Sequence, residues 1–293
     1  MRIVFIGSVD FSAHMLEKLI SMKANIVGVC TRVPHTQSSD LKDLSQIAHK
    51  NTIKCYQTDD INTKETRNWI AHLHPDIIFC FGWSALIKKE LLELPPMGII
   101  GFHPTKLPKN RGRHPLIWSL VLGLEESACS FFFMQEGADN GDILSQEDFT
   151  IDYKDNAQTL YKKVIEVASR QLEEFVPQLQ NNRYTPISQN HQEANVWRKR
   201  SYKDGIIDFR MHSRTIYNLV RALSHPYPGA TLRYKENDIK IWKVKEVVLD
   251  MPNIEPGKVL HNGNGTLLIK TANGAIEILE HEFVTLPQQG EYL

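Results

Sequence analysis

A Rossmann-like α/β fold, with a doubly wound and mostly parallel sheet, followed by a smaller β-rich domain, is the fold class this 293-residue sequence predicts. Short apolar runs alternate with amphipathic segments over the first half of the chain. The runs are rich in Val, Ile and Phe with little polar alternation, as strands covered on both faces require. Beyond a polar, turn-rich stretch the texture changes to alternating segments separated by Asn-containing turns, the mark of antiparallel hairpins.

Taken in order, RIVFIGS is an apolar run closed by Gly-Ser. In FSAHMLEKLISMK the residues Phe11, Met15, Leu16, Leu19 and Ile20 fall at helical spacing. NIVGVCT is the next strand. DLKDLSQIAHKN follows as a helix with Asp40 as its N-cap, then IKCYQT as a strand. The helix TKETRNWIAHLH leads into DIIFCFG, the richest β run; ALIKKELLEL reads as helix and MGIIGFH as strand. Ligands of such sheets bind beyond the carboxyl ends of the strands, so the loops after Ile6, Cys30, Phe81 and Ile100 form the expected floor of a site. SACSFFFMQ and GDILSQEDFTI are further strands, and DNAQTLYKKVIEVASRQLEEFVPQLQ is one long helix.

The stretch 181–205 is polar and rich in turn residues. We therefore expect a first domain over 1–190, a linker over 191–205 and a second domain over 206–293. That last part holds one helix, SRTIYNLVRALS, and then hairpins of a small β barrel or sheet around Asn-Asp, Asn-Gly and Asn-Gly turns.

Composition sets outer limits. Lys and Arg total 34 and Asp and Glu total 34, which argues against a partner held mainly by phosphate neutralisation. Residues 1–195 carry 20 basic against 23 acidic side chains and residues 196–293 carry 14 against 11, too small a contrast to name a partner. The four cysteines lie far apart without a C-x-x-C, and Cys30 and Cys80 end apolar strand-like runs, so buried free thiols in a reducing cytosol are expected. MRIVFIGSVDF turns polar too soon for a signal peptide, and no apolar run approaches a membrane span. A soluble, cytoplasmic protein is the expectation. The twelve histidines show no metal-ligand spacing, so no metal is expected, and neither a P-loop nor a nucleophile elbow occurs.

The most informative stretch is GFHPTKLPKNRGRHPLIW, from Gly101 to Trp118. Its three prolines argue against a helix or central strand and for a rigid loop over a cleft. An imidazole is the side chain best suited to proton transfer near neutrality, which makes His103 a candidate, although a structural loop histidine is the competing reading. Asp139, in the glycine-flanked turn EGADNGD, is its candidate partner; alone it would pass for a turn residue. GSVDFS, with Ser8, lies where a helix N-terminus could hold an anionic group, or is an ordinary turn; it is not G-x-G-x-x-G. Arg111 and Arg113 could pair with phosphate or carboxylate, against a default of solvated loop arginines. Phe79, Phe81 and Trp83 flank a strand end that could seat a flat heterocycle, or are simply core.

These residues together resemble the formyltransferase family that uses 10-formyltetrahydrofolate. Its hallmark N-x-H-x-S-L-L-P-x-Y-R-G, followed further on by D-x-G, is matched here by GFHPTKLPKNRG (101–112) and by Asp139-Asn140-Gly141. MRIVFIGSVDFS resembles the family's first strand and turn. DGIIDFR (204–210) and RALSHPYPGA (221–230) resemble its carboxyl-terminal domain, which has an oligonucleotide-binding-like β fold in relatives.

The resemblance implies that His103 and Asp139 are two members of the catalytic Asn–His–Asp set. They would take the amine proton, stabilise the tetrahedral oxyanion and return a proton to the leaving folate nitrogen. It implies 10-formyltetrahydrofolate as co-substrate, held at Phe81, Ala85, Leu86 and Ile87 largely by backbone groups, with Met134, Gly137 and Ala138 closing over the ring. Ser8, Lys106, Arg111 and Arg113 would meet the acceptor. The sequence departs from the hallmark at the catalytic Asn, where it has Gly101, and at the Tyr, where it has Asn110. Losing an oxyanion donor costs on the order of 3 kcal/mol. Either transfer is slow or Lys106, Asn110 or Asn140 fills in.

For the acceptor, a tRNA enzyme would be expected to carry a longer basic loop after the second strand. TRVPHTQSSD (31–40) has Arg32 as its only Lys or Arg. A nucleotide-linked amino sugar, formylated for surface glycan biosynthesis, is the first expectation, with no nucleic acid or membrane partner. Methionyl-tRNA is the second, and a non-catalytic folate or nucleotide binder the third. A homodimer is expected by analogy with sugar enzymes alone.

Overall fold

The structure is a computed structural model that describes residues 1–33 and 41–293. In chain order its strands are β1 (Ile3–Ile6), β2 (Ile26–Thr31), β3 (Cys55–Gln57), β4 (Ile77–Cys80), β5 (Ile99–His103), β6 (Arg111–Gly112), β7 (Glu126–Phe133), β8 (Ile143–Thr150), β9 (Val196–Trp197), β10 (Ala230–Tyr234), β11 (Asn237–Val247), β12 (Val259–Gly263), β13 (Thr266–Lys270) and β14 (Ala275–His281). The helices are α1 (Asp10–Ser21), α2 (Ser45–Lys50), α3 (Lys64–Ala71), α4 (Lys89–Leu92), α5 (Pro115–Val121), α6 (Ala157–Gln180) and α7 (Ser213–Leu223).

The chain divides into two compact units. The first comprises Met1–Pro115, Glu126–Phe149 and Lys162–Trp197; the second comprises Leu116–Glu125, Thr150–Tyr161 and Arg198–Leu293. The large sheet runs in the order β3-β2-β1-β4-β5-β7-β8. β1 to β5 are parallel and β7 returns antiparallel to β5. The order reverses between β1 and β4, so their carboxyl ends open a crevice.

Strand periodicity splits the apolar side chains between two faces. Val4, Ile6, Cys30, Ile78 and Cys80 pack on one side of the sheet with Ile70 and Leu91. On the other, Phe5, Phe79, Phe81, Phe131 and Phe175 are fully buried. Their rings meet edge-on or tilted at 4.8–6.2 Å, with Phe79 and Phe81 stacked at 5.4 Å. Each such burial contributes roughly 1.5–3 kcal/mol.

In the second unit β10-β11-β14-β13-β12 form an antiparallel sheet. Asn264 and Gly265, both at positive φ, make the two-residue turn between β12 and β13, as the Asn-Gly pair demands. The hairpin expected at Asn237-Asp238 turns instead at Lys235-Glu236, and both residues of the pair begin β11.

Other departures have local causes. The helix expected over DLKDLSQIAHKN starts only at Ser45, whose N–H bonds to Asp43 Oδ1 at 2.9 Å; Asp40 lies outside the described residues. ALIKKELLEL is helical only over Lys89–Leu92. The Asn62 side chain holds the preceding segment extended by bonding Leu86 O (3.0 Å) and Lys88 N–H (2.8 Å). The proline-rich loop also ends sooner than expected. Pro115 occupies the first position of α5, where a missing N–H is harmless.

Candidate active site

β5 delivers His103 to the carboxyl edge of the large sheet, where the imidazole is buried at 5 % exposure. Its Nε2 lies 2.8 Å from the carbonyl oxygen of Asn110. A carbonyl only accepts, so Nε2 carries a proton. Nδ1 lies 3.6 Å from Oδ2 of Asp139. In the neutral ring Nδ1 is an acceptor, as is the carboxylate. Nδ1 and the carboxylate oxygen thus face each other across a gap wider than a hydrogen bond, which a donor entering between them could bridge.

The surrounding loop holds both partners in place. Oδ2 of Asp139 accepts from the Gly112 N–H at 2.9 Å, and its carbonyl accepts from Gln189 Nε2 at 3.0 Å. β6 pairs in parallel with β9, with Arg111 N–H bonded to Asn195 O and Arg113 N–H to Trp197 O. Gly112 has φ +104°, and a Cβ there would come within 2.4 Å of Trp197 O, so only glycine fits. Asn110 sits in the left-handed region, which Asn tolerates, and its N–H bonds to Asn195 Oδ1 at 2.8 Å.

The expected acceptor-binding residues separate. Arg111 is 8 % exposed and turned inward, with Nη2 bonded to Gln189 Oε1 at 2.5 Å and facing His191 Nδ1 at 3.1 Å. Burial pushes its pKa down, against the opposing charge of Asp139. Lys106 is turned to Asp148, at 2.5 Å. Ser8 is 2 % exposed; its N–H bonds to Ser12 Oγ and its hydroxyl lies 3.4 Å from Gly82 O. Arg113 bonds Ser84 O at 2.5 Å, and Arg32 reaches Ser84 Oγ at 3.3 Å while its guanidinium covers Trp83 at 4.7 Å. Two cations thus converge at the carboxyl end of β4.

Among the residues expected at the folate, Phe81 and Ile87 are core. Ala85 and Leu86 are exposed on the extended segment that Asn62 braces. Among the described residues no protein acceptor takes the N–H of Ala85, Leu86 or Ile87. That leaves main-chain donors in a row beside the crevice, which fits a heterocycle read through the backbone. Gly137 and Ala138 lie on the turn that Asn140 closes, its Nδ2 bonded to Glu136 O at 2.8 Å. Met134 crosses Gly101: a Cβ on Gly101 would meet Met134 Cγ at 2.9 Å and Sδ at 3.2 Å. The Met134 side chain and the edge of the Phe132 ring, whose Cζ would also lie 2.9 Å from a Cβ on Gly101, fill the slot where the hallmark has an amide, while the amide of Asn140 and the amine of Lys106 are turned to other partners.

Sequence reasoning missed Gln189 and Asn195, which brace both halves of the loop. No residue pattern marks them, since they lie in a polar stretch that reads as linker. Among the described residues no group of three or more His, Cys, Asp or Glu could hold a metal. Burial pushes the Cys80 thiol up to about 12, so it stays protonated near neutrality.

Residues 1–176 match the formyl transferase family and residues 199–285 match its C-terminal domain. The chain belongs to the formyl transferase family. It is thus an enzyme of one-carbon group transfer, with the two-domain architecture of that family. The methionyl-tRNA formyltransferase of Caldanaerobacter subterraneus subsp. tengcongensis is 30 % identical over 285 residues, covering 96 % of this chain and 91 % of that protein. The bifunctional polymyxin resistance protein ArnA of Wigglesworthia glossinidia brevipalpis is 29 % identical over 97 % of this chain, which spans 43 % of that protein.

Among solved structures, the Helicobacter canadensis N-formyltransferase, in complex with folinic acid and dTDP-3-aminofucose, superposes with a TM-score of 0.74 at 19 % identity over 95 % of this chain and 98 % of that one. WlaRD, a sugar 3N-formyltransferase solved with dTDP and 5-N-formyl-THF, gives 0.71 at 21 % over 98 % and 99 %. HypX from Aquifex aeolicus gives 0.68 at 18 %, covering 96 % of this chain, which spans 45 % of HypX. At such identities the likeness concerns the fold.

Proposed function

We propose that the chain transfers the formyl group of 10-formyltetrahydrofolate to the amine of a nucleotide-linked amino sugar, giving an N-formyl sugar for surface glycans. The observation that carries the chemistry is the facing pair of acceptors, His103 Nδ1 and Asp139 Oδ2, 3.6 Å apart. Folate supplies the formyl carbon. A new bond joins that carbon to the amine nitrogen, the bond to the folate nitrogen breaks, and one proton must pass from the first nitrogen to the second. His103 and Asp139 accept that proton in their gap and return it to the leaving nitrogen. The Nε2–H bond to Asn110 O fixes the tautomer, so Nδ1 is the atom that works. The backbone donors of Ala85, Leu86 and Ile87 hold the pterin, and the Met134–Ala138 segment covers it.

The acceptor assignment rests on residues 31–40, where Arg32 is the only Lys or Arg, and on the convergence of Arg32 and Arg113 at Ser84. Two guanidinium groups at one strand end suit a diphosphate, and a segment this poor in charge has little to grip an acceptor stem. Full-length likeness to sugar N-formyltransferases solved with dTDP or a dTDP-linked sugar supports the same reading. Methionyl-tRNA is the second reading, favoured by the names of sequence relatives near 30 % identity. We place the reaction in the cytoplasm; among the described residues no helix is long and apolar enough to cross a membrane.

The test is a panel of UDP-, dTDP- and GDP-linked amino sugars with 10-formyltetrahydrofolate and the purified protein. At least one should be formylated. Silence across the panel together with formylation of charged initiator tRNA would replace the first reading by the second.

A further inference from the structure

We propose that the second unit carries a binding site of its own, for a nucleoside phosphate. The start of α6, one face of α7 and strands β11 and β14 enclose a cavity of about 320 Å³, within the range of small-molecule sites. Every residue that lines it belongs to the second unit, and none belongs to the transfer site described above.

Its wall offers a flat surface. His225 and Trp242 stack with ring centroids 4.1 Å apart and an interplanar angle of 9°. The indole is held in place: Nε1 donates to Glu282 Oε1 at 3.0 Å, and a Cβ on Gly229 would lie 3.1 Å from the ring. His225 is exposed, so a base entering the cavity extends a pre-formed stack rather than ordering a loose ring. Val220 and Val244, buried at 1 % and 6 % exposure, give the floor an apolar surface.

The rim supplies charge. Lys154, Arg221 and Lys243 line the cavity against Glu280 as the one carboxylate, leaving an excess of positive charge. Glu280 is taken up by Lys243 at 3.2 Å. Arg221 is 8 % exposed and spends its donors on the carbonyls of Asp152 (3.0 Å) and Asp155 (2.9 Å) and on Asn218 Oδ1 (2.9 Å). It therefore anchors the segment that carries Lys154, and Lys154 is the cation left to meet a ligand. Asn156 caps α6 by accepting from Thr159 N–H at 3.0 Å, and both Asn156 and Gln158 line the cavity. The positive end of the α6 dipole thus faces the same rim as Lys154. An aromatic stack, an apolar floor and a cationic rim around one cavity define the ligand class.

Calorimetric titration of the full-length protein with UDP and with AMP, beside inorganic phosphate and uridine, tests this. Saturable binding of a nucleotide is expected, at least tenfold tighter than phosphate or uridine. Lys154→Glu and His225→Ala should each weaken it at least tenfold while melting like the wild type. Nucleotide binding unchanged in both variants would overturn the site, as would phosphate binding as tightly as the nucleotide, or no saturable heat. Heat that persists in Arg113→Ala, which removes one of the two cations at the transfer site, but is lost in Lys154→Glu and His225→Ala belongs to this cavity; heat lost in Arg113→Ala alone belongs to the transfer site and overturns the second one.

Discussion

His103 can act through only one ring nitrogen, because Asn110 O claims the proton on Nε2. The gap between Nδ1 and Asp139 Oδ2 is then where a substrate N–H can enter, with Oδ2 held in place by the main-chain donor of Gly112. Removing either wall should remove general acid–base catalysis, worth about a hundredfold or more. His103→Ala and Asp139→Ala are each expected to lower single-turnover formylation by at least about a hundredfold. Asp139→Asn should do the same, since an amide N–H donated to Nδ1 fills the gap with a proton that cannot be returned. Near-wild-type rates in any of the three would strip the pair of its role. Gly101 is a different kind of change: it admits Phe132 and Met134 into the space of a side chain, so the three residues are packed as a unit.

The element that holds this geometry is the short parallel pair of β6 and β9. Gly112 is its tightest point, with φ +104° and Trp197 O where a Cβ would go. Gly112→Ala must open the pair or twist the residue out of the left-handed region, at about 2 kcal/mol or more. A melting temperature lower by on the order of 5 °C is expected, measured by circular dichroism. Turnover should fall further than stability at the assay temperature, because the Gly112 N–H anchors Asp139. An unchanged melt and unchanged rate would show that the close approach carries no strain.

Little of this pair was legible in the sequence. Strands β1 to β5 and helices α1, α3, α6 and α7 could be read because their apolar periods are local. His103 and Asp139 could be read because a hallmark spacing marks them. The partner of Arg111 is Val196, and nothing local to either predicts that pairing. Gln189 is silent for the same reason, and α4 came out too long because Asn62, far upstream, holds its expected first turn extended.

At the scale of the whole molecule the deciding quantity is charge. Lys and Arg total 34 against 34 Asp and Glu, and residues 31–40 hold a single arginine. A nucleic acid bound through its phosphates releases counterions, and a protein making several such contacts loses roughly 10³–10⁵ in affinity between about 50 and 200 mM salt. A sugar nucleotide carries only a diphosphate for Arg32 and Arg113 to meet, so its binding should weaken by no more than about tenfold over that range. KM for the amino-sugar nucleotide that the panel identifies is expected to follow this shallow course, with kcat little affected because His103 is buried and Asp139 only partly exposed, so salt screens the pair poorly. A steep rise of KM with salt would mean that the protein grips a polyanion, and the tRNA reading would then gain at the expense of the sugar.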